Sequence, residues 1–119
     1  MRTLETKADL LKVRDLIYQL LPDSIQMLNV ILLTAANDGI ERTIFVNDNY
    51  TSENVALIAI DKVEFPRLTV SLFSTKRGES VLQDMLRTVL NWDQEMLFAV
   101  KINYHIQYQY LSSHAEKCL

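Results

Sequence analysis

A strand-to-helix turn in the middle of the chain carries residue types that could bind a phosphate. The segment 74–80 reads Ser-Thr-Lys-Arg-Gly-Glu-Ser and lies between an apolar β-branched run and a helix-like pattern. Backbone N–H groups at a helix N-terminus attract anions, and glycine lets a phosphate approach the backbone closely. Arg77, Gly78 and Ser80 are therefore the candidate cofactor-binding residues. Glu79 opposes this interpretation, because its negative charge suits an empty helix N-terminus and repels an anionic ligand.

A purely structural interpretation of the same turn competes with phosphate binding. In that case the segment only converts a strand into a helix, and the hydroxyl of Ser80 or Ser74 caps the helix. We favour this interpretation, because one glycine and two adjacent cations do not make up for the acidic side chain at position 79.

The histidines and the cysteine suggest no metal site. His114 and Cys118 are four residues apart and would share a helix face, but zinc sites normally need three or four ligands. His105 could act as a general base, yet no Ser, Asp or Glu can be assigned as its partner. We therefore predict no metal ligands and no catalytic residue among these three side chains.

Two pairs of carboxylates and a group of aromatic residues receive structural interpretations as well. Asp61 with Glu64, and Asp93 with Glu95, flank the ends of predicted elements, where charges are usually solvated. Three tyrosines could stack on nucleotides, but the surrounding charge is not basic and a core or interface role is favoured. We expect Trp92 to anchor a corner of the fold. The tyrosines are Tyr104, Tyr108 and Tyr110.

The composition is that of one globular domain spanning residues 1–119. The chain is 49% hydrophobic and 23% charged, and its net charge of −3 gives no general attraction to nucleic acid or to anionic lipid. Its longest apolar run, residues 27–36, is too short to cross a bilayer. A single cysteine and acidic residues near the N-terminus favour a reducing, intracellular location, and the cytoplasm over the mitochondrion.

Hydrophobic periodicity predicts the elements that must position the turn. The apolar residues of 10–21 recur at helical spacing until Pro22, and those of 81–90 do so after Gly78. The predicted helices span about 6–21 and 78–90, with a further helix from about Asn103, although perfect alternation of apolar residues there also fits a strand. The predicted strands span 25–35, 43–46, 55–60, 68–73 and 96–100. This order, α-β-β-β-β-α-β-α, indicates an α+β (mixed α/β) fold with a central, mostly antiparallel sheet flanked by helices.

This order resembles the core of the GNAT acyltransferase superfamily, and more specifically the N-terminal lobe of glycine N-acyltransferase-like proteins, their insect relatives included. Three stretches carry the resemblance. They are "LLKVRDLIYQLLPDSIQMLNVILL", then "VALIAI" with "FPRLTVSLFST", and finally "VLQDMLRTVLNWDQEMLFAVKINYHI".

The resemblance implies a two-lobed enzyme whose second lobe holds the acyl-CoA loop and the catalytic base. The pyrophosphate loop of the superfamily reads [Arg or Gln]-x-x-Gly-x-[Gly or Ala] between a strand and a helix. Laid over residues 75–80, Gly78 matches and Ser80 is small, but Thr75 fails the first position and Glu79 faces the would-be phosphate. The resemblance therefore implies acetyl-CoA or acyl-CoA as a cofactor of the complete protein and none for this chain.

Three functional hypotheses follow from these observations. The first is a non-catalytic N-terminal lobe of a GNAT-type N-acyltransferase, partnered by a second acyltransferase lobe. The second is a small α+β interaction module that forms a homodimer or binds a protein partner, with Tyr104, Tyr108 and the strand 96–100 as the contact surface. The third is a self-sufficient acetyltransferase that uses the turn at 74–80. Whether the chain itself is an enzyme is left open.

Overall fold

The computed structural model describes residues 1–64, 67–90 and 96–98. Their elements are β1 (Arg2–Thr3), α1 (Lys7–Tyr18), α2 (Ile25–Ala35), β2 (Arg42–Val46), β3 (Ala56–Glu64), β4 (Arg67–Ser74), α3 (Glu79–Val89) and β5 (Met96–Phe98). The predicted α+β class is confirmed. None of these helices combines the length and the apolar character needed to cross a bilayer.

The five strands form one sheet whose spatial order, β1-β2-β3-β4-β5, is also their order along the chain. The first four strands pair antiparallel, and β5 pairs parallel to β4 with Val70 opposite Phe98. A parallel neighbour requires a crossover connection, and α3 supplies it. The turn at 75–78 therefore follows the carboxyl end of a strand that has a parallel partner.

Both faces of the sheet are covered, because β3 and β4 alternate apolar side chains between two layers. On one face the strands pack against α1 and α2, whose buried residues are Leu10, Val13, Ile17, Met27, Leu28 and Ile31. On the other face Ala56, Ile58, Val70 and Leu72 pack against Leu82, Met85, Leu86 and Leu90 of α3 and its C-cap. The helical stripes predicted at 10–17 and 82–90 are thus confirmed.

The prediction of a strand over 25–35 is wrong, since these residues form helix α2. Gln26 and Asn29 are the polar residues on its exposed side, and the exposed Ile25, Leu32 and Leu33 interrupt them, so the helical period was obscured and the apolar segment was assigned to a strand. Its eleven residues would make an unusually long strand but are an ordinary helix length. The short strand β1 was not predicted at all, because two residues carry no measurable alternation.

The connection between α1 and α2 is tied to the first helix by a buried serine. The predicted helix runs to Leu21 before Pro22, but α1 ends three residues earlier, at Tyr18. The Leu21–Pro22 peptide bond is cis, and the fully buried Ser24 donates its hydroxyl to the carbonyl oxygen of Ile17. That carbonyl oxygen also accepts from the Leu20 N–H at 2.9 Å, so the serine adds a second hydrogen bond at the end of α1.

Candidate functional site

The turn after β4 is held from within by the hydroxyl of Thr75. Its Oγ1 donates to the carbonyl oxygen of Glu53 at 2.8 Å and accepts from the N–H groups of Val55 at 3.2 Å and Gly78 at 3.3 Å. The backbone N–H of Thr75 also donates to the Val55 carbonyl oxygen at 3.0 Å. Thr75 does not match the first position of the cofactor-loop pattern. It instead joins the turn to the start of β3.

Gly78 is buried against the backbone of Val55. Its φ of −80° and ψ of −5° are ordinary helical values, so the glycine is not required by the conformation of the chain. A β-carbon at this position would instead lie 2.5 Å from the Val55 carbonyl oxygen and 3.2 Å from Thr75 Oγ1. The glycine therefore permits close approach of the turn to its own protein, and this packing alone accounts for it.

Arg77 is the candidate cation of the site, and it lies on the surface in an ion pair. Its Nη1 atom is 3.0 Å from Glu53 Oε2, and both side chains are about three-quarters exposed, at 75% and 74%. The same residue, Glu53, thus contacts Thr75 through its carbonyl and Arg77 through its carboxylate. Nothing in the sequence pattern pointed to Glu53, because its loop is distant along the chain.

The predicted serine caps are wrong. Gly78, which has no side chain, is the N-cap of α3, so neither serine occupies the capping position. Ser80 is exposed, and the buried hydroxyl of Ser74 has no hydrogen-bond partner within the described ranges. Part of the capping comes from Thr75, the residue after Ser74, because its hydroxyl accepts from the Gly78 N–H. Arg77, Gly78 and Ser80 thus lie at one turn, but their polar groups are not arranged to bind a common ligand.

A cleft near this turn offers no unpaired cation for a phosphate. The cleft, of about 310 Å³, borders α3, and its charged groups are Asp48, Asp84 and the N-terminal ammonium of Met1. That ammonium already pairs with Asp48. In the described ranges, no three His, Cys, Asp or Glu side chains come together in a way that could hold a metal ion.

A second cleft, of about 420 Å³, lies between the start of α1 and the end of α2, and Arg42 and Lys7 line it. Arg42 is only 3% exposed, and its guanidinium is fully engaged by Asp61, Asp38 and Thr34. Burial alone would lower the pKa of Arg42, but the hydrogen bonds and charges of Asp61 and Asp38 outweigh it and raise the pKa. Arg42 is therefore a structural cation with its hydrogen bonds already in use.

Asp61 was predicted to be a solvated charge, and the structure instead places it in this buried ion pair. The other residues considered for chemistry lie outside the described residues. They are Asp93, Glu95, His105, His114, Cys118, Trp92, Tyr104, Tyr108 and Tyr110, together with the helix predicted from Asn103 and residues 99–100 of the last predicted strand.

The chain was compared with protein-family models, with curated proteins and with solved structures. None of them matches.

Proposed function

We propose that this chain is a non-catalytic N-terminal lobe of a GNAT-type N-acyltransferase, as its resemblance to glycine N-acyltransferase-like proteins implies. The complete protein would transfer an acyl group from acyl-CoA to an amine, with acetyl-CoA or another acyl-CoA bound by the second lobe. This lobe would pack against its partner and shape the site for the acceptor amine.

The arrangement β4–turn–α3–β5 supports the resemblance. In α/β sheets, ligands bind beyond the carboxyl ends of parallel strands, and the turn at 75–78 leaves β4 at such an end. The correction of 25–35 from strand to helix changes the first half of the element order. It does not alter this second half, which contains the turn that resembles the cofactor loop of the superfamily.

The internal hydrogen bonds of the turn support the proposal that the lobe is non-catalytic. The Thr75 hydroxyl already forms hydrogen bonds with Glu53, Val55 and Gly78, and Arg77 is paired with Glu53. A pyrophosphate loop needs backbone N–H groups and cations directed at the ligand. Here the N–H of Gly78 bonds to Thr75 and the guanidinium of Arg77 pairs with Glu53, and Glu79 places a negative charge in the first turn of α3.

The reaction itself requires groups that this turn does not supply. Attack by an amine needs a general base, and the thioester oxygen that becomes negative needs a hydrogen-bond donor. Neither the turn nor the two clefts offers a base and a donor directed at one point. We therefore expect no acyl transfer by this chain alone.

Calorimetric titration of the purified chain with acetyl-CoA tests the proposal. We expect no binding at millimolar ligand, and binding by the unaltered chain would contradict a non-catalytic lobe and favour the self-sufficient acetyltransferase. A repaired variant, Glu79→Gln with Ser80→Gly, removes the opposing charge and restores the second glycine while keeping Thr75 and Gly78. Binding by this variant supports a cofactor-loop origin for the turn.

Glu41→Gln is the matched control, because it removes one negative charge from an exposed side chain that pairs with Lys62 away from the turn. If the control variant gains binding as well, net charge alone explains the effect. If neither variant binds, the acyltransferase interpretation loses its support and the interaction module is favoured.

A second candidate function is favoured by one observation, the apolar surface on α2. Ile25, Leu32 and Leu33 are 48%, 41% and 50% exposed. Contiguous apolar side chains on a surface mark interaction sites more often than isolated ones do. The coding sequence downstream of codon 119 discriminates: a second lobe with an acyl-CoA loop supports the acyltransferase, and a stop codon with a stable homodimer supports the module.

A further inference from the structure

A third cleft, of about 630 Å³, lies between α1, β1 and the loop that follows β2. Two of its side chains are cations from different elements, Arg2 of β1 and Lys12 of α1, and they lie beside the aromatic ring of Tyr50. The full lining consists of Arg2, Lys12, Leu16, Asp48, Asn49 and Tyr50. The cleft thus combines positive charge with apolar surface, the composition of a site for an organic anion.

The two cations of this cleft keep N–H groups that a ligand could use. Among the described residues Lys12 forms no ion pair, and Nη1 of Arg2 lies 4.0 Å from Asp9 Oδ1, which is beyond hydrogen-bonding distance. Five other cations of the described ranges each have a carboxylate oxygen within 3.6 Å, and they are Arg14, Arg42, Lys62, Arg77 and Arg87. The cations of the cleft are therefore less engaged by the protein than these five.

The wall that carries Tyr50 is held in place by the protein itself. The ring packs against the core, and Nζ of Lys12 lies 6.0 Å from its centroid, within range of a cation–π contact. The loop is closed by the amide of Asn47, which donates to the Asn54 carbonyl oxygen at 3.2 Å and accepts from the Ala56 N–H at 2.9 Å. Because this wall is already ordered, binding would cost little conformational entropy there.

The charges around the cleft favour a ligand with two separated negative groups. Asp48 is the carboxylate of the lining, and the N-terminal ammonium of Met1 pairs with it, so its charge is compensated. Arg2 and Lys12 project from different elements, one from β1 and one from α1. Two carboxylates can each meet one of these cations, whereas a phosphate concentrates its charge at a single point.

We propose that this cleft binds a small dicarboxylate, with one carboxylate on the guanidinium of Arg2 and the other on the ammonium of Lys12. The apolar middle of the ligand lies against Leu16 and the Tyr50 ring. This inference does not rest on the acyltransferase proposal, because neither acyl-CoA nor a residue of the turn at 75–78 takes part in it.

Titration of the isotope-labelled, full-length chain with succinate, acetate and inorganic phosphate tests the proposal. Ionic strength is held constant, because salt screens exposed charges. We expect succinate to shift the backbone amide signals of Asn49 and Tyr50 to saturation and to bind about fivefold more tightly than acetate, since only succinate can engage both cations. Absence of a saturable shift would overturn the proposal. Acetate or phosphate binding as tightly as succinate would also overturn it, because the cleft would then attract anions in general.

Substitution of each cation provides the second arm. Arg2→Gln and Lys12→Gln should each weaken succinate binding by about fivefold, to the affinity of acetate, and the fold should persist because both side chains are exposed. Lys7→Gln is the matched control, because it removes the same charge from the same helix but lines the cleft of about 420 Å³ instead.

The comparison of these variants separates a site from the effect of net charge. We expect Lys7→Gln to bind succinate as tightly as the unaltered chain does. Equal weakening in Lys7→Gln and Lys12→Gln would show that net charge alone attracts the ligand, and it would overturn the proposal. Unchanged affinity in Arg2→Gln or in Lys12→Gln would do so as well, because the ligand would then not engage both cations.

Discussion

Arg42 and Asp61 face each other across β2 and β3 and share two hydrogen bonds. Arg42 Nε lies 2.7 Å from Asp61 Oδ1, and Nη2 lies 3.2 Å from Oδ2. The same guanidinium donates to Thr34 at 2.6 Å and to Asp38 at 3.2 Å. One side chain thereby joins the end of α2, the following turn and two strands of the sheet.

Replacement of Arg42 should destabilise the fold strongly. Arg42→Met leaves the Asp61 side chain, 13% exposed, without its cation, and removing one partner of a buried ion pair costs about 3–5 kcal/mol. Arg14→Met is the control, because Arg14 pairs with Asp15 on the surface, where such pairs contribute about 0–1 kcal/mol. Urea unfolding measures both, and equal losses would show that the Arg42 pair is no stronger than a surface pair.

The coupling between Arg42 and Asp61 should not change from neutral to mildly alkaline pH. Against the lowering effect of burial, mainly Asp61 raises the pKa of Arg42 above its ordinary value, so the stability that depends on its charge is fully present throughout this pH range. It would be lost only as the pH rises through the folded-state pKa, in strong alkali. A double-mutant cycle of Arg42→Met and Asp61→Asn at several pH values measures the coupling. A decline within this range would contradict the assignment.

The Thr75 hydroxyl should contribute measurably to stability. Thr75→Val keeps the shape of the side chain but removes three hydrogen bonds, leaving the Glu53 carbonyl and the Val55 N–H without this partner. An unsatisfied buried group costs about 1–3 kcal/mol. Thr88→Val is the matched control, since the hydroxyl of Thr88 donates to the carbonyl oxygen of Asp84 within its own exposed helix face. Thermal unfolding should separate the two variants, and equal melting temperatures would refute the role of Thr75.

Gly78→Ala should destabilise the protein although the residue has a helical conformation. Without a steric conflict, replacing glycine by alanine at such a position stabilises by about 0.4–1 kcal/mol. The contact with the Val55 carbonyl oxygen should reverse the sign and cost about 1–3 kcal/mol. Denaturant unfolding gives the difference, and a stabilised Gly78→Ala chain would show that the turn can move away from Val55.

Gly39→Ala is a useful comparison for that measurement. Nothing lies within 4 Å of a β-carbon at Gly39, but its φ is +82°. Its substitution should therefore cost only the backbone strain of about 1–2 kcal/mol. The nuclear magnetic resonance signals of Val55 and Thr75 should shift in Gly78→Ala and remain in place in Gly39→Ala.

Periodicity predicted most of the layered fold, with α2 and β1 as the exceptions. Periodicity predicted the apolar stripes of α1 and α3 and the strands β2 to β4. In each of these elements the apolar residues are clearly separated from the polar ones. Helix α2 was misassigned because Ile25, Leu32 and Leu33 interrupt its exposed side, where Gln26 and Asn29 alone are too few to reveal a helical period.

The contacts that hold the turn at 75–78 could be predicted from the sequence only in part. The glycine and the neighbouring cation were recognised, and so was the opposing charge of Glu79. The purpose of Gly78 depends on a carbonyl of Val55, and the engagement of Arg77 depends on Glu53, both from another loop. Contacts between residues more than twenty positions apart leave no local pattern, whereas the hydroxyl of Thr75 beside a turn was a signal that could have been used.

The order of the sheet has a consequence for synthesis on the ribosome. Because the strands are adjacent in the same sequence as they are made, β1 to β4 and both N-terminal helices can assemble one complete apolar layer from residues 1–74. The opposite layer, with Ile58, Val70 and Leu72, remains bare until α3 has been synthesised. The nascent chain thus exposes an apolar, aggregation-prone strand surface during that interval, when aggregation and chaperone binding compete with folding.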